Sequence, residues 1–600
     1  MWEPSYTSYQ DSNTPLLVQP ALPGQRVTCT HCKVAHLVDV SPSGLLTFLR
    51  NATRIASSAP PDAIMEPSPV HDQRSTSSSL AIFSEQRLNS LTERLGSPRL
   101  KVLVNGLDDG LRMQLKRGSA VFSSQTPAGP DKQVNVSPEE RELYISRYFD
   151  HVQPIYPFLD RADFEASAFR PDIAELIASN PPFSALYHAV LALGCLYEGG
   201  GGYDAGIGTS WELFTEAKRH LSDILIGRES LQSVQALVAL SIFSMTPCCL
   251  QVNHPLLAQA SRMVLALRYH KSSIPESTGD VCQRIFWVIY HLDKQYNFQA
   301  RSSSVIADYD ICCPIPAVVE SVFGRYDWFR ASIGFCRILS VAYETVFSVS
   351  AMTISANVQL AAIDRVQELL EDWRMSIPLQ FRPREAHRGF IFRDSRSKYL
   401  AIQTHYYYYH LVIALERLTL HLDGEVNRQE SKRHLLNAAR GVIELTRFID
   451  VEPYTPIFIQ AIMPLSALLI LFDFIVHNPR HSETSSNLIL LDVVSGYFSH
   501  LELASNGSLA GSHLTEFAHI ARQFINDLPE CYAFDTGATE TLTSVSQQPN
   551  MTDQIPDLNE RSEVSDGLYY PAFEEDIGNF DTQFIIGAGF WPLFGSYAPD

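Results

Sequence analysis

The chain has 600 residues, 45% of them apolar and 19% charged, which is ordinary globular usage with ample material for a core. Its 46 basic side chains face 66 acidic ones, a net charge of -20, which excludes a body that lies broadly on nucleic-acid phosphate or anionic lipid. The 10 cysteines include the adjacent pairs Cys248-Cys249 and Cys312-Cys313, a pattern unlike a disulfide framework, so reduced intracellular thiols are expected.

The opening residues, MWEPSYTSYQ, lack the basic-then-apolar order of a secretory signal. The longest apolar run, Ala461 to Phe472, is broken by Pro464 and Ser466 and is too short to span a bilayer. No membrane segment is expected. Residues 1–78 carry SPSG, SSAPPD and STSSS runs that cannot offset the entropy of ordering, so this arm is expected to be mostly disordered. Within it, Cys29-Thr30-His31-Cys32 has the C-x2-C spacing that closes two thiolates on one tetrahedral zinc, and His31 with His36 completes a four-ligand set on paper. Two unliganded cysteines in a loose arm are the alternative. In the stretch 79–136, Leu88, Leu91 and Leu95 recur at a/d spacing, which suits either a dimerising coiled coil or an amphipathic helix docked on the body. A linker follows.

From 137 to 535 the chain reads as all-α. Ser137-Pro138-Glu139-Glu140 is a helix start, with a serine cap, a first-turn proline and acids at the positive helix end. Phe183 to Tyr197 is apolar enough to be buried. The glycine run before Ser210 lacks GK[ST] and has no strand ahead of it, so it reads as a flexible loop rather than a phosphate cradle. Thr209 to Glu212 then reads as a capping box for a helix that places Trp211, Phe214, Ala217, Leu221 and Leu225 on one face.

The stretch VCQRIFWVIYHLDKQYNFQARSSSVIADYDICCPIP, from Val281, opens with a helix apolar around most of its circumference, which is expected inside. Its acid, Asp293, then needs donors, and Arg284 and Arg301 are the nearest in sequence. Pro314 and Pro316 force an extended exit. Further on, Leu360, Ile363, Val366, Leu370 and Trp373 form a stripe ended by Pro378. Tyr406 to Tyr409 suit an aromatic effector pocket or, more often, a core with satisfied hydroxyls. No strand alternation appears in the body. The last segment, 536–600, mixes acids with Phe573, Phe580, Phe584, Phe590 and Trp591, the composition of a disordered activation tail or of a tail folded back on the body.

No GxSxG, HExxH, calcium loop, DDxxD or nucleotide fingerprint is present, so catalysis is not expected. A single large helical domain between two ragged ends is the predicted architecture.

Arg284, Phe286, Trp287, Leu292, Asp293, Arg301, Asp310, Pro314 and Pro316 resemble, in order, the signature of the regulatory domain of fungal zinc-cluster transcription factors. That signature is an arginine-led Phe-Trp helix, Leu-Asp-Arg, Gly-Arg-Pro and an acidic turn ending in Pro-x-Pro. Lys294 stands where the family usually has arginine, and Ala300 and Ser302 replace the glycine and proline beside Arg301. RYFDHVQPIYPFLDRADF resembles the opening of the same domain and EDWRMSIPLQFRP its Trp-Arg-x-x-Pro segment.

The resemblance covers Ser137 to Leu528. It implies a helical regulatory domain, a nuclear location and control of RNA polymerase II transcription of a specific metabolic pathway, such as a secondary-metabolite gene cluster. It also implies a zinc cluster of two C-x2-C-x6-C halves. Here the position seven past Cys32 is Asp39, and CTHCKVAHLV resembles the second half, with Cys29 and Cys32 as remnant metal ligands and Lys33 as the base nearest DNA. Zinc is therefore expected only if ligands from elsewhere complete the cluster. The implied partners are promoter DNA, directly or through another protein, a homo- or heterodimer mate, and coactivators through the acidic tail. A scaffold that does not bind DNA, or a heterodimer partner of a zinc-cluster regulator, is the second reading.

Overall fold

The computed structural model describes residues 26–28, 35–37, 85–107, 134 and 136–528, apart from interruptions at 250–252, 272–275, 301, 386–393, 423–424 and 510. In the N-terminal arm, β1 (Arg26–Thr28) pairs antiparallel with β2 (Ala35–Leu37), Arg26 opposite Leu37 and Thr28 opposite Ala35. The remainder of the arm, expected to be mostly disordered, lies outside the described residues.

Helix α1 (Glu85–Leu95) buries Leu88 and Leu91, and a second helical stretch, 99–107, buries Leu100 and Val104. The leucine seam is thus filled within the chain. Arg94 fixes the attachment, donating to the carbonyls of Val476 at 3.1 Å and His477 at 3.3 Å at the end of a helix.

Helix α2 (Pro138–His151) opens with the expected capping box: the Ser137 hydroxyl accepts from the Glu140 amide at 3.1 Å, and the Glu140 carboxylate accepts from the Ser137 amide at 2.8 Å. A buried corner leads to α3 (Arg161–Ala168), α4 (Ile173–Ser179) and the core helix α5 (Pro181–Tyr197). Gly194 lets α5 approach α2 closely, because a Cβ there would fall 1.9 Å from the Tyr144 carbonyl oxygen.

Two local expectations are corrected in the next loop. Helix α6 (Thr209–Arg219) has Gly208 as its N-cap, at φ +91°, and no side-chain cap. The Ser210 amide instead donates to the Gly200 carbonyl at 3.1 Å, and only glycine fits at 208, where a Cβ would lie 2.5 Å from that same oxygen. The loop is also tied down, with Tyr203 buried and Asp204 accepting from Ser508 at 2.6 Å.

Helices α7 (Leu221–Ile226), α8 (Leu231–Phe243), α9 (Asn253–Ala266) and α10 (Glu276–Ala300) follow. The body does contain one small strand pair, β3 (Val322–Phe323) with β4 (Tyr326–Asp327), turning at Gly324 with φ +64°. At two residues each, these strands are too short to show alternation in sequence.

Asp327 caps α11 (Trp328–Ala342), which continues into a π-helical turn at Tyr343–Phe347. The remaining helices are α12 (Ala356–Ser376), α13 (Ser395–Leu422), α14 (Glu425–Thr446), α15 (Met463–His477), entered through a π-helical turn at Phe458–Ile462, α16 (Thr484–Ala504) and α17 (Thr515–Asp527). Helix α5 packs against α2, α6 and α8, and α14 against α13 and α15. The helical runs Trp328–Thr353 and Phe458–His477 are long and apolar enough to cross a membrane, longer than the sequence run suggested. Their apolar surface is instead largely packed in the core.

Candidate functional site

Helix α10 passes through the middle of the core. Ile285, Phe286, Trp287, Ile289 and Tyr290 are each 0% exposed and Asp293 only 1%, so apolar side chains occupy the whole circumference as its sequence requires. The segment after α10 folds back over it as a strap of residues 302–316, fastened at three places. Trp287 Nε1 donates to the Pro314 carbonyl at 2.8 Å. Lys294 Nζ donates to the Ile306 carbonyl at 2.7 Å. The amides of Cys312 and Cys313 donate to the His270 carbonyl at 3.0 and 3.1 Å. Proline at 314 and 316 keeps the strap extended, so its carbonyls remain available to side chains of the helix.

Asp293 and Lys294 carry the electrostatics of this region. The Asp293 carboxylate accepts from Ser261 at 3.2 Å, from Asn297 at 3.0 Å and from Ser304. All three donors are neutral. Burial pushes the Asp293 carboxyl above the ordinary carboxylate range, and these hydrogen bonds and nearby Lys294 only partly counter it. The expectation that Arg284 pairs with Asp293 is corrected. Arg284, 9 positions earlier on the helix, lies far along the axis and pairs with Asp280 at 3.0 Å and Glu320 at 2.9 Å. Arg301 lies outside the described residues.

Lys294 has a closed set of partners. Its Nζ meets Asp308 Oδ2 at 2.6 Å and Ser340 Oγ at 2.8 Å and sits 5.2 Å from the centre of the Tyr290 ring. Asp308 also accepts from the Tyr290 hydroxyl at 2.5 Å and from Ser340. Burial alone would raise its pKa, but hydrogen bonds from Lys294, Ser340 and Tyr290 outweigh that and hold it below the ordinary range. Asp310, the acid matched to the family signature, instead faces Lys271 and His270 Nε2, the latter at 3.2 Å. Sequence reasoning missed Asp308, Tyr290 and Ser340 as a unit. A lysine within a helical run expected to be buried was the available signal.

The tyrosine run divides. Tyr406 and Tyr407 are core, their hydroxyls bonded to the Val442 carbonyl at 3.2 Å and to Gln403 at 2.7 Å. Tyr408 and Tyr409 line a half-open groove of about 900 Å³ between α12, α13 and α14. Arg384, held at φ +67°, reaches the Tyr408 hydroxyl at 3.5 Å, and Glu416 binds His434 at 3.0 Å and Gln367 at 3.2 Å on the groove wall. The charged groups here largely satisfy one another. Cys29, Cys32, Lys33 and His31 lie outside the described residues.

Residues 145–375 match the model of the fungal specific transcription factor domain. Over these residues the chain is similar to that domain. Its matched segment runs from α2 to the end of α12 and includes α10, the strap and the Lys294–Asp308 pair. Among curated proteins, the chain is similar to an ABC-transporter-regulating transcription factor of Aspergillus oryzae, 24% identical over 65% of this chain and 46% of that one. It is 27% identical to a protein of the same name from Aspergillus fumigatus over 50% of this chain and 37% of that one. An uncharacterized transcriptional regulatory protein of Schizosaccharomyces pombe is 23% identical over 61% of this chain and 60% of its own length. The chain therefore spans less than two thirds of each of these relatives.

Proposed function

We propose that the protein is a fungal transcription regulator acting in the nucleus on RNA polymerase II genes of a specific pathway, and is not an enzyme. The observation that carries this reading is the fungal specific transcription factor domain at residues 145–375, with its Phe-Trp helix enclosed and strapped. Genes for ABC transporters are the first targets to examine, because two of the relatives bear that role in their names. A secondary-metabolite cluster is the next. The helical body relays a state to the acidic-aromatic residues of 541–600, which recruit coactivators.

Zinc and direct promoter binding depend on ligands and bases beyond Cys29, Cys32 and Lys33. Arg26, Lys33 and Arg50 against Glu3, Asp11 and Asp39 give the first fifty residues no electrostatic footprint for DNA. This favours action through a DNA-binding partner. The test is a reporter in which the full chain is fused to a heterologous DNA-binding module. Transcription should change, and the change should be lost when 541–600 is removed. A silent fusion that is folded and nuclear overturns the regulator reading. Tight, sequence-specific gel shifts by the purified chain would replace the partner route with direct binding.

A further inference from the structure

A cavity of about 70 Å³ lies between α10, α13 and the turn at Pro456 to Ile459. Leu257, Met245 and Phe458 form an apolar wall, and Gln295, Gln403 and Tyr407 a polar one. A chain of hydrogen bonds runs along the polar wall through His291, Tyr407 and Gln403. Burial holds His291 neutral, pushing its pKa down to about 3, so its Nε2 can accept from the Tyr407 hydroxyl at 3.2 Å. That hydroxyl in turn accepts from Gln403 Nε2 at 2.7 Å. The amide of Gln403 is thereby oriented, and its Oε1 is left with no donor. Gln295 is in the same condition: its Nε2 reaches only Cys336 Sγ at 3.9 Å, and its Oε1 has no donor. The two side chains are 4% and 6% exposed.

Two orphaned acceptors on one buried wall are rare in native proteins, because each is destabilising until a donor arrives. The lining contains no carboxylate, lysine or arginine, so a charged ligand would be desolvated without compensation. The cavity also borders the π-helical turn Phe458–Ile462, a distortion that recurs at functional sites.

We propose that this cavity binds the head group of a neutral small molecule, a primary amide, a urea or an alcohol, that donates N–H or O–H hydrogen bonds to Gln295 and Gln403. The site is independent of the regulator reading, since binding is measurable whether or not the chain alters transcription.

The experiment titrates the purified full chain with n-propylurea and with tetramethylurea, which has no N–H, and follows ligand signals by NMR. n-Propylurea should bind saturably and tetramethylurea about tenfold more weakly, the loss expected for one or two hydrogen bonds. The double variant Gln295→Leu, Gln403→Leu removes the orphaned acceptors, so it should melt at or above the wild-type temperature while losing about tenfold in affinity. Leu257→Phe, which fills the cavity from the apolar wall, should give a similar loss. The proposal is overturned if wild type shows no saturable binding of n-propylurea, if tetramethylurea binds as well, or if folded Leu257→Phe or the folded double variant binds like wild type.

Discussion

Asp293 and Lys294 are adjacent on one buried helix, and the core treats them in opposite ways. Lys294 meets a carboxylate, a carbonyl and a hydroxyl, and its partner Asp308 is held ionised. Asp293 meets hydroxyls and an amide, and is drawn toward its neutral form. A formal charge in a core therefore predicts little by itself. The chemical type of its donors decides whether it behaves as an ion or as a polar group.

The contrast can be broken most severely at Lys294. Lys294→Met leaves Asp308 without its cation and frees one fastening of the strap, so unfolding in urea should cost about 3 kcal/mol less than for wild type. Faster hydrogen exchange across 302–316 should accompany it. Removing the other partner, Asp308→Asn, should be milder, about 1–2 kcal/mol near neutral pH, because the new amide oxygen can still accept from Lys294, whose ammonium also keeps the Ile306 carbonyl and Ser340. Trp287→Phe deletes the hydrogen bond to Pro314 and leaves a void where the indole was fully buried, and should cost a comparable amount, about 2 kcal/mol. Asp293→Asn should be smallest, within about 1 kcal/mol, since rotating hydroxyls of Ser261 and Ser304 can meet an amide.

Titration sharpens the same comparison. The lowered Asp308 contributes stability that is full above its unfolded value of about 4 and disappears as pH falls through its folded pKa. The raised Asp293 acts with the opposite sign, its contribution present below about 4 and lost as pH rises through its folded pKa. The penalty of Asp308→Asn should therefore grow from pH 3 to 7, and that of Asp293→Asn should shrink. Parallel slopes in the two unfolding series would refute the assignment of donors.

Much of this region was legible beforehand. The apolar circumference of α10 demanded an interior position, and Pro314 and Pro316 marked an extended return. The donors of Asp293 were not legible, because Ser261 comes from α9, 32 residues away, and serines carry no mark of which carboxylate they face. Arg284 was the nearer cation in sequence, but separation along the helix axis places it against Glu320 instead. The choice between Asp308 and Asp310 as the acid that closes on the helix was equally open, since both fall in one short turn.

Composition and periodicity alone determined that the described body is helical, that α10 is interior and that its chain leaves through an extended proline segment, because burial of apolar surface and the missing proline donor act locally. Tertiary structure decided which side chains meet: the Lys294–Asp308–Ser340 closure, the neutral shell around Asp293, the filling of the Leu88 and Leu91 seam within the chain, and the glutamine acceptors on the cavity wall. Hydrogen bonds and ion pairs act over a few ångströms across elements far apart in sequence, and only packing brings those elements within that range.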